Sequence, residues 1–159
     1  MGARVLPNSE LGQRVLAMLA EQGGPAGPPA SGADGITVTV PVRTKNPTNT
    51  REQWWAVARR AKAEHAAVFA ALAPHAGARP ALAAGCRVEL TRVSCGRVDR
   101  FNLGATLKGV IDAVAMWLLG GTPGRHDEDP RIEWAEPKQL RSGRNVFGVI
   151  VTIRPRATR

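Results

Sequence analysis

Cysteine is scarce in this chain, with only Cys86 and Cys95 among 159 residues. They lie nine positions apart on either side of what reads as one strand. That placement excludes a CxxC redox pair and a zinc site built from several cysteines, and both thiols are expected to stay reduced. Histidine is sparse too, and His65, His75 and His126 have no metal-ligand spacing. No run of roughly eighteen or more apolar residues occurs, so no membrane span is expected. The apolar start is broken by Asn8, Glu10 and Arg14 and lacks a signal peptide's layout, so the expectation is a soluble, cytoplasmic protein with no membrane partner. No Ser-His-Asp set, P-loop or dinucleotide fingerprint is visible, and no repeat recurs at periods of about twenty to fifty residues.

Acidic residues are also outnumbered: thirteen Asp and Glu face 22 Lys and Arg, for a net charge of +9. A charge of that size attracts polyanions and makes nucleic acid the leading partner, the alternatives being a generally basic surface or another anionic partner. A chain of this length forms one domain with a genuine core, burying roughly 70% of its extended surface.

Leu11, Val15, Met18 and Leu19 recur at helical spacing, which predicts a short helical appendage over 1–22. Residues 23–35 are almost wholly Gly, Pro, Ala and Ser and read as a linker. The main domain is expected over 36–156. It opens on strict alternation of Ile36, Val38, Val40 and Val42, the pattern of a half-buried strand. A polar loop follows, and Thr50 with Gln53 reads as a capping box for a helix reaching to about Ala73. Trp54, Val57, Ala61, Val68 and Leu72 share its apolar stripe, with Arg51, Arg59 and Lys62 beside it.

Val88 and Leu90 alternate with polar residues in a second strand. A second helix starts near Asn102, with Leu103, Leu107, Val110, Ile111, Val114, Trp117 and Leu118 inward and Lys108 and Asp112 outward. Gly120 to Gly124 end it, and strands are expected at Arg131–Glu136 and Val146–Arg154. The fold class is therefore α+β: a mixed β-sheet of about four strands with two main helices, plus the N-terminal helix.

Asp99 and the Asp127-Glu128-Asp129 loop are the carboxylates that could hold Mg²⁺, with Mn²⁺ as a substitute, if the fold brings them together. The alternatives are a helix cap at Asp99 and a solvated acidic loop. Lys108 is either a cation for a developing phosphate charge or the i,i+4 partner of Asp112. Arg43, Lys45, Asn46 and Asn49 either grip phosphates or form an ordinary polar loop. Trp54, Trp117 and Trp134 are assigned to packing, and Trp55 is kept as a candidate for base stacking.

Asn46-Pro47-Thr48-Asn49-Thr50-Arg51, Asp99-Arg100-Phe101-Asn102-Leu103, Lys108, Asp112 and Asp127-Glu128-Asp129-Pro130-Arg131-Ile132-Glu133-Trp134 occur in an order that resembles the RusA-type Holliday junction resolvases, most of all the phage and prophage versions. The resemblance spans Ile36 to Arg154. It implies a homodimeric, Mg²⁺-dependent, structure-selective endodeoxyribonuclease that binds branched DNA and cuts it symmetrically in recombination and repair. On that pattern Asp99 is a metal ligand, Asn102 the motif asparagine, Lys108 the catalytic lysine and Asp127 the second aspartate of the turn, with Asp129 a further ligand. Arg43, Lys45, Asn46, Asn49, Arg51, Arg59, Lys62, Arg97 and Arg100 are the candidate DNA contacts. Two positions depart from the pattern: Phe101 replaces the second motif aspartate, and His126 stands at the turn's first. The alternative is therefore a catalytically impaired RusA-like protein that keeps junction binding.

Overall fold

The computed structural model describes residues 35–46, 51–121 and 127–156. The expected N-terminal helix, most of the linker, Asn49, the Thr50 cap and His126 lie outside the described residues. Five strands and two main helices follow in the order β1 (Ile36–Val40), α1 (Trp54–Leu72), β2 (Cys86–Ser94), α2 (Arg100–Leu118), β3 (Ile132–Trp134), β4 (Lys138–Arg141) and β5 (Gly148–Pro155). Short 3-10 turns at Ala73–Ala78 and Leu82–Ala84 connect α1 to β2.

The sheet order is β1-β5-β2-β3, with β4 also on β2. β5 is antiparallel to both β1 and β2, whereas β3 and β4 run parallel to β2. β1, β2, β3 and β4 therefore all point the same way, and the C-terminal ends of β1, β2 and β4 lie at one end of the sheet. Along its edge, β3 pairs through Trp134 with Val88, and β4 resumes at Lys138 opposite Thr91. Ala135, Glu136 and Pro137 thus oppose only Glu89 and Leu90, a bulge at which proline, lacking an N–H, interrupts the ladder. A single strand over Arg131–Glu136 was the expectation. The bulge ends it at Trp134 and starts the unexpected β4.

Period-two alternation builds the core. Ile36, Ile153 and Val88 form one row across the sheet, and Val38, Val151 and Leu90 the next. These side chains meet Val68 and Leu72 of α1 and Leu103, Leu107, Val110, Val114 and Leu118 of α2 in one buried cluster. The opposite face is polar and half-exposed, with Thr37 and Thr152 hydroxyls 3.2 Å apart. Gly35 opens β1 at φ +126°, and a Cβ there would lie 2.5 Å from the Ile153 carbonyl oxygen. Only glycine fits both that backbone and that approach.

α1 departs from expectation at its start. It begins at Trp54 with Gln53 as N-cap and no side-chain capping bond, so Gln53 is the cap itself rather than the third residue of a capping box. The apolar stripe is buried only in its second half, at Val68, Ala71 and Leu72 with Glu64. Trp54 is 79% exposed and Val57 42%, so the first turns of α1 take no part in the buried cluster of the described residues. The packing assignment for Trp54 is corrected accordingly. α2 matches its apolar pattern, with Leu103, Leu107, Val110, Val114, Trp117 and Leu118 buried. Among the described residues, no helix is long and apolar enough to cross a membrane. Cys86 is buried, Cys95 is exposed and neither is in a disulfide.

Candidate nucleic-acid interface

Because β1, β2 and β4 end close together, the loops that follow them converge. The 41–46 loop leaves β1, the 95–99 turn leaves β2, and the 142–147 turn joins β4 to β5. They bring Arg43, Lys45, Arg97 and Arg144 to one end of the sheet, with Arg100 opening α2 and Arg141 closing β4. Among the described residues, Arg43, Arg51, Arg97, Arg141 and Arg144 have no carboxylate partner. Lys45 is engaged by Glu52 at 2.9 Å, and Arg100 by Glu136 of the bulge at 2.5 Å. Glu52 also accepts from Arg60, and the Lys45 hydrogen bond, more than Arg60, holds its carboxyl below the usual range. Arg59 and Lys62 are exposed on α1. The Arg59 guanidinium lies over the Trp55 ring, 4.9 Å from its centroid, and Trp55 is half exposed.

Arg92 is the residue sequence reading missed. Two rows of apolar side chains give way to a third, Val40, Val149 and Arg92, so period two carries a guanidinium onto the core face. It is 7% exposed and donates from Nε to Thr44 Oγ1 at 2.9 Å and from Nη1 to the Gly96 carbonyl at 2.7 Å. Burial lowers its pKa from an ordinary value far above neutrality. Arg92 thereby ties the 41–46 loop to the 95–99 turn. From the other side, the Gln139 side chain accepts from Val98 N at 3.1 Å and donates to Val98 O at 2.5 Å.

That clamped turn delivers Asp99 to the N-cap of α2. Its Oδ1 accepts from Asn102 N at 3.0 Å, and Oδ2 from the Asn102 side-chain amide at 2.6 Å. The Asn102 side chain and then its backbone hold the Asp99 carboxyl below the usual range. The alternative reading of Asp99 as a cap is the one observed, with Asn102 as its partner.

Lys108 and Asp127 do meet. Lys108 Nζ donates to Asp112 Oδ1 at 2.6 Å and to Asp127 Oδ2 at 2.5 Å. Partial burial draws the ammonium's pKa down, but the two carboxylates outweigh it and hold the group above its ordinary value. Trp134 Nε1 anchors the turn by donating to the Asp127 carbonyl at 2.9 Å. Asp129 is engaged elsewhere, by the Arg131 backbone N–H and by both Nε and Nη2 of its guanidinium. Its turn lies at the N-terminal end of β2, since Ile132 pairs with Cys86. Asp99 follows the C-terminal end of that nine-residue strand.

The carboxylates therefore do not converge as the metal expectation requires. Asp99 and Lys108 are about two and a half turns, or ~13 Å, apart along the axis of α2. Phe101 has no oxygen to offer and is 95% exposed. Among the described residues, no group of three or more His, Cys, Asp or Glu side chains is placed to hold a metal ion. Mg²⁺ keeps several waters and needs only one or two carboxylates, but Asp99 is held at its cap, Asp127 at Lys108 and Asp129 at Arg131, so these three are not gathered at one point. No family model, curated protein or solved structure matches this chain.

Proposed function

We propose that this chain is a RusA-like protein of branched DNA, which binds four-way junctions as a homodimer and cuts them weakly or not at all. The observation that carries the reading is the cationic end of the sheet, where arginines from separate loops, with no carboxylate partner among the described residues, flank the turn tied by Arg92 and Gln139. Backbone phosphates supply most of the affinity in nucleic-acid binding, and guanidinium groups grip them in bidentate fashion. Junction arms related by a two-fold axis call for the same surface twice, which a symmetric dimer supplies. Half-exposed Trp55, with Arg59 over its face, adds an aromatic surface suited to unpaired bases.

A Mg²⁺-dependent endonuclease is the second reading, and one specific arrangement favours it. Phe101, Ala105, Lys108 and Asp112 follow at spacings of four, three and four on α2, the spacing of a single helix face. Phe101, Ala105 and Lys108 are exposed there, and Asp127 joins the stripe through Lys108. A carboxylate at 101 would lie on the side of α2 that carries the lysine.

The test is to incubate the full chain with a labelled synthetic four-way junction, with and without Mg²⁺ or Mn²⁺. The expected result is a mobility shift that prefers junction to linear duplex at matched salt, with no symmetric nicks. Symmetric nicks by the wild type would replace the first reading with the second, and equal binding to junction and duplex would end both.

A further inference from the structure

Between the 95–99 turn and β4 lies an open cleft of about 450 Å³ whose walls include Ser94, Gly96, Arg97, Gln139, Leu140 and Arg141. We propose that this cleft holds the phosphate and sugar of a single unpaired nucleotide, so that the protein engages the melted strands at a branch point. The inference rests on the DNA reading above and names the part of the junction that this site would take.

Chemistry and shape both support it. Arg97 of the 95–99 turn and Arg141 at the end of β4 both line it, and neither has a carboxylate partner among the described residues. No Asp or Glu lines the cleft. Ser94 Oγ accepts weakly from Gly96 N at 3.4 Å and keeps its proton to donate. Gln139 spends both amide atoms on Val98, so it stiffens the wall, and the other polar side chains of the lining are the two guanidinium groups and the hydroxyl. Such a lining donates hydrogen bonds and carries positive charge, which is complementary to a phosphate ester. Arg92, clamping Gly96 from behind, adds a buried positive charge and fixes the backbone. The volume suits one small ligand of roughly nucleotide size. A volume of about 450 Å³ holds one nucleotide and not the body of a duplex. Leu140 and Cys95 supply an apolar patch for the sugar.

The experiment compares wild type with Arg97→Gln, Arg141→Gln and the double variant. Fluorescence anisotropy reads their binding to a labelled single strand and to a duplex of equal length at matched salt. Titrations with a nucleoside monophosphate and with inorganic phosphate run beside it. Both arginines are exposed, so the variants should fold, which circular dichroism checks. Each substitution should weaken single-strand binding by about tenfold, the order of one charge-assisted hydrogen bond. The loss on duplex should be at least about fivefold smaller, and the single-strand salt slope should fall by about 0.7 per arginine. Equal losses on both substrates, or none, would overturn the cleft. Inorganic phosphate binding as tightly as the nucleotide would overturn the nucleotide assignment. If the wild type binds neither junction nor single strand yet takes the monophosphate through both arginines, the DNA reading fails and the cleft stands.

Discussion

At the scale of single residues, Phe101 offers no oxygen, and Asp99, Asp127 and Asp129 each hold a donor of their own. Phe101 occupies a position whose side chain faces solvent, so its ring contributes nothing to the core. Phe101→Ala should change unfolding free energy by no more than about 0.5 kcal/mol in urea titrations, as for surface substitutions in general. Phe101→Asp should raise Mg²⁺-dependent nicking of a four-way junction above the wild-type level, read on denaturing gels. An absence of gain would mean that the lysine stripe is not a vestigial active site. Asp99 can be separated from its cap by chemistry. Asparagine still accepts from Asn102 N, whereas alanine cannot, so thermal melts should rank Asp99→Asn above Asp99→Ala. Because the Asp99 pKa is depressed, the stability it confers is present above the ordinary aspartate range and is lost as pH falls through the folded value. The Asp99→Ala penalty should therefore shrink in acid. Arg92 is the residue on which the interface geometry depends most. Arg92→Met keeps the bulk but leaves Thr44 and Gly96 without their donor, and should cost about 2–3 kcal/mol while loosening both loops. Urea titration measures the first effect, and junction affinity should fall with it.

At the scale of elements, the contact between α1 and α2 turns on one glycine. A Cβ at Gly109 would lie 1.9 Å from Glu64 Oε2, so the helices approach around a buried carboxylate. Arg60 Nε, 3.8 Å away, is its ion-pair partner. Burial raises the Glu64 pKa and Arg60 only partly offsets it. A folded-state pKa above the unfolded value means that the native state binds more protons, so stability declines as pH rises from about 4.5 through the folded value. Glu64→Gln should consequently gain on wild type between pH 4 and pH 7 in parallel melts, and a constant difference across that range would refute the assignment. Gly109→Ala should destabilise by about 1–2 kcal/mol because the carboxylate must move, despite the better helix propensity of alanine. In a Glu64→Ala background the same change should stabilise by up to about 1 kcal/mol, a reversal that a double-mutant cycle isolates.

For the whole molecule, direction of charge matters more than amount. A net charge of +9 could have been spread evenly, but the loops that follow β1, β2 and β4 put Arg43, Arg97 and Arg144, which have no carboxylate partner among the described residues, at one end of the sheet. Junction affinity should fall steeply with salt, with log K declining by about 0.9 per log unit of salt for each phosphate neutralised. Removing Arg43, Arg97 and Arg144 together should reduce that slope by about 2–3, measured by anisotropy between low and physiological salt. Sedimentation at micromolar concentration should give a dimer, and a monomer under conditions of tight junction binding would remove the two-fold argument.

Period-two alternation at Ile36–Val40 and the apolar face of α2 were legible in the sequence because each is a local pattern that burial on one side enforces. The acidic turn, Lys108 and the α+β class were legible for the same reason, and so was the exposed lysine-aspartate pair, since i,i+4 spacing alone brings those groups together. β4 was hidden because Lys138–Arg141 has no apolar alternation and is held as a strand by its neighbour β2. The exposure of Trp54 followed from where α1 stops sharing in the buried cluster, and the role of Arg92 from strand register at the end of the core. Which charges are neutralised, and which carboxylates meet, depends on distances between segments far apart in the chain. Composition determined the excess of positive charge; the common direction of β1, β2 and β4 decided which of those charges share one end of the sheet.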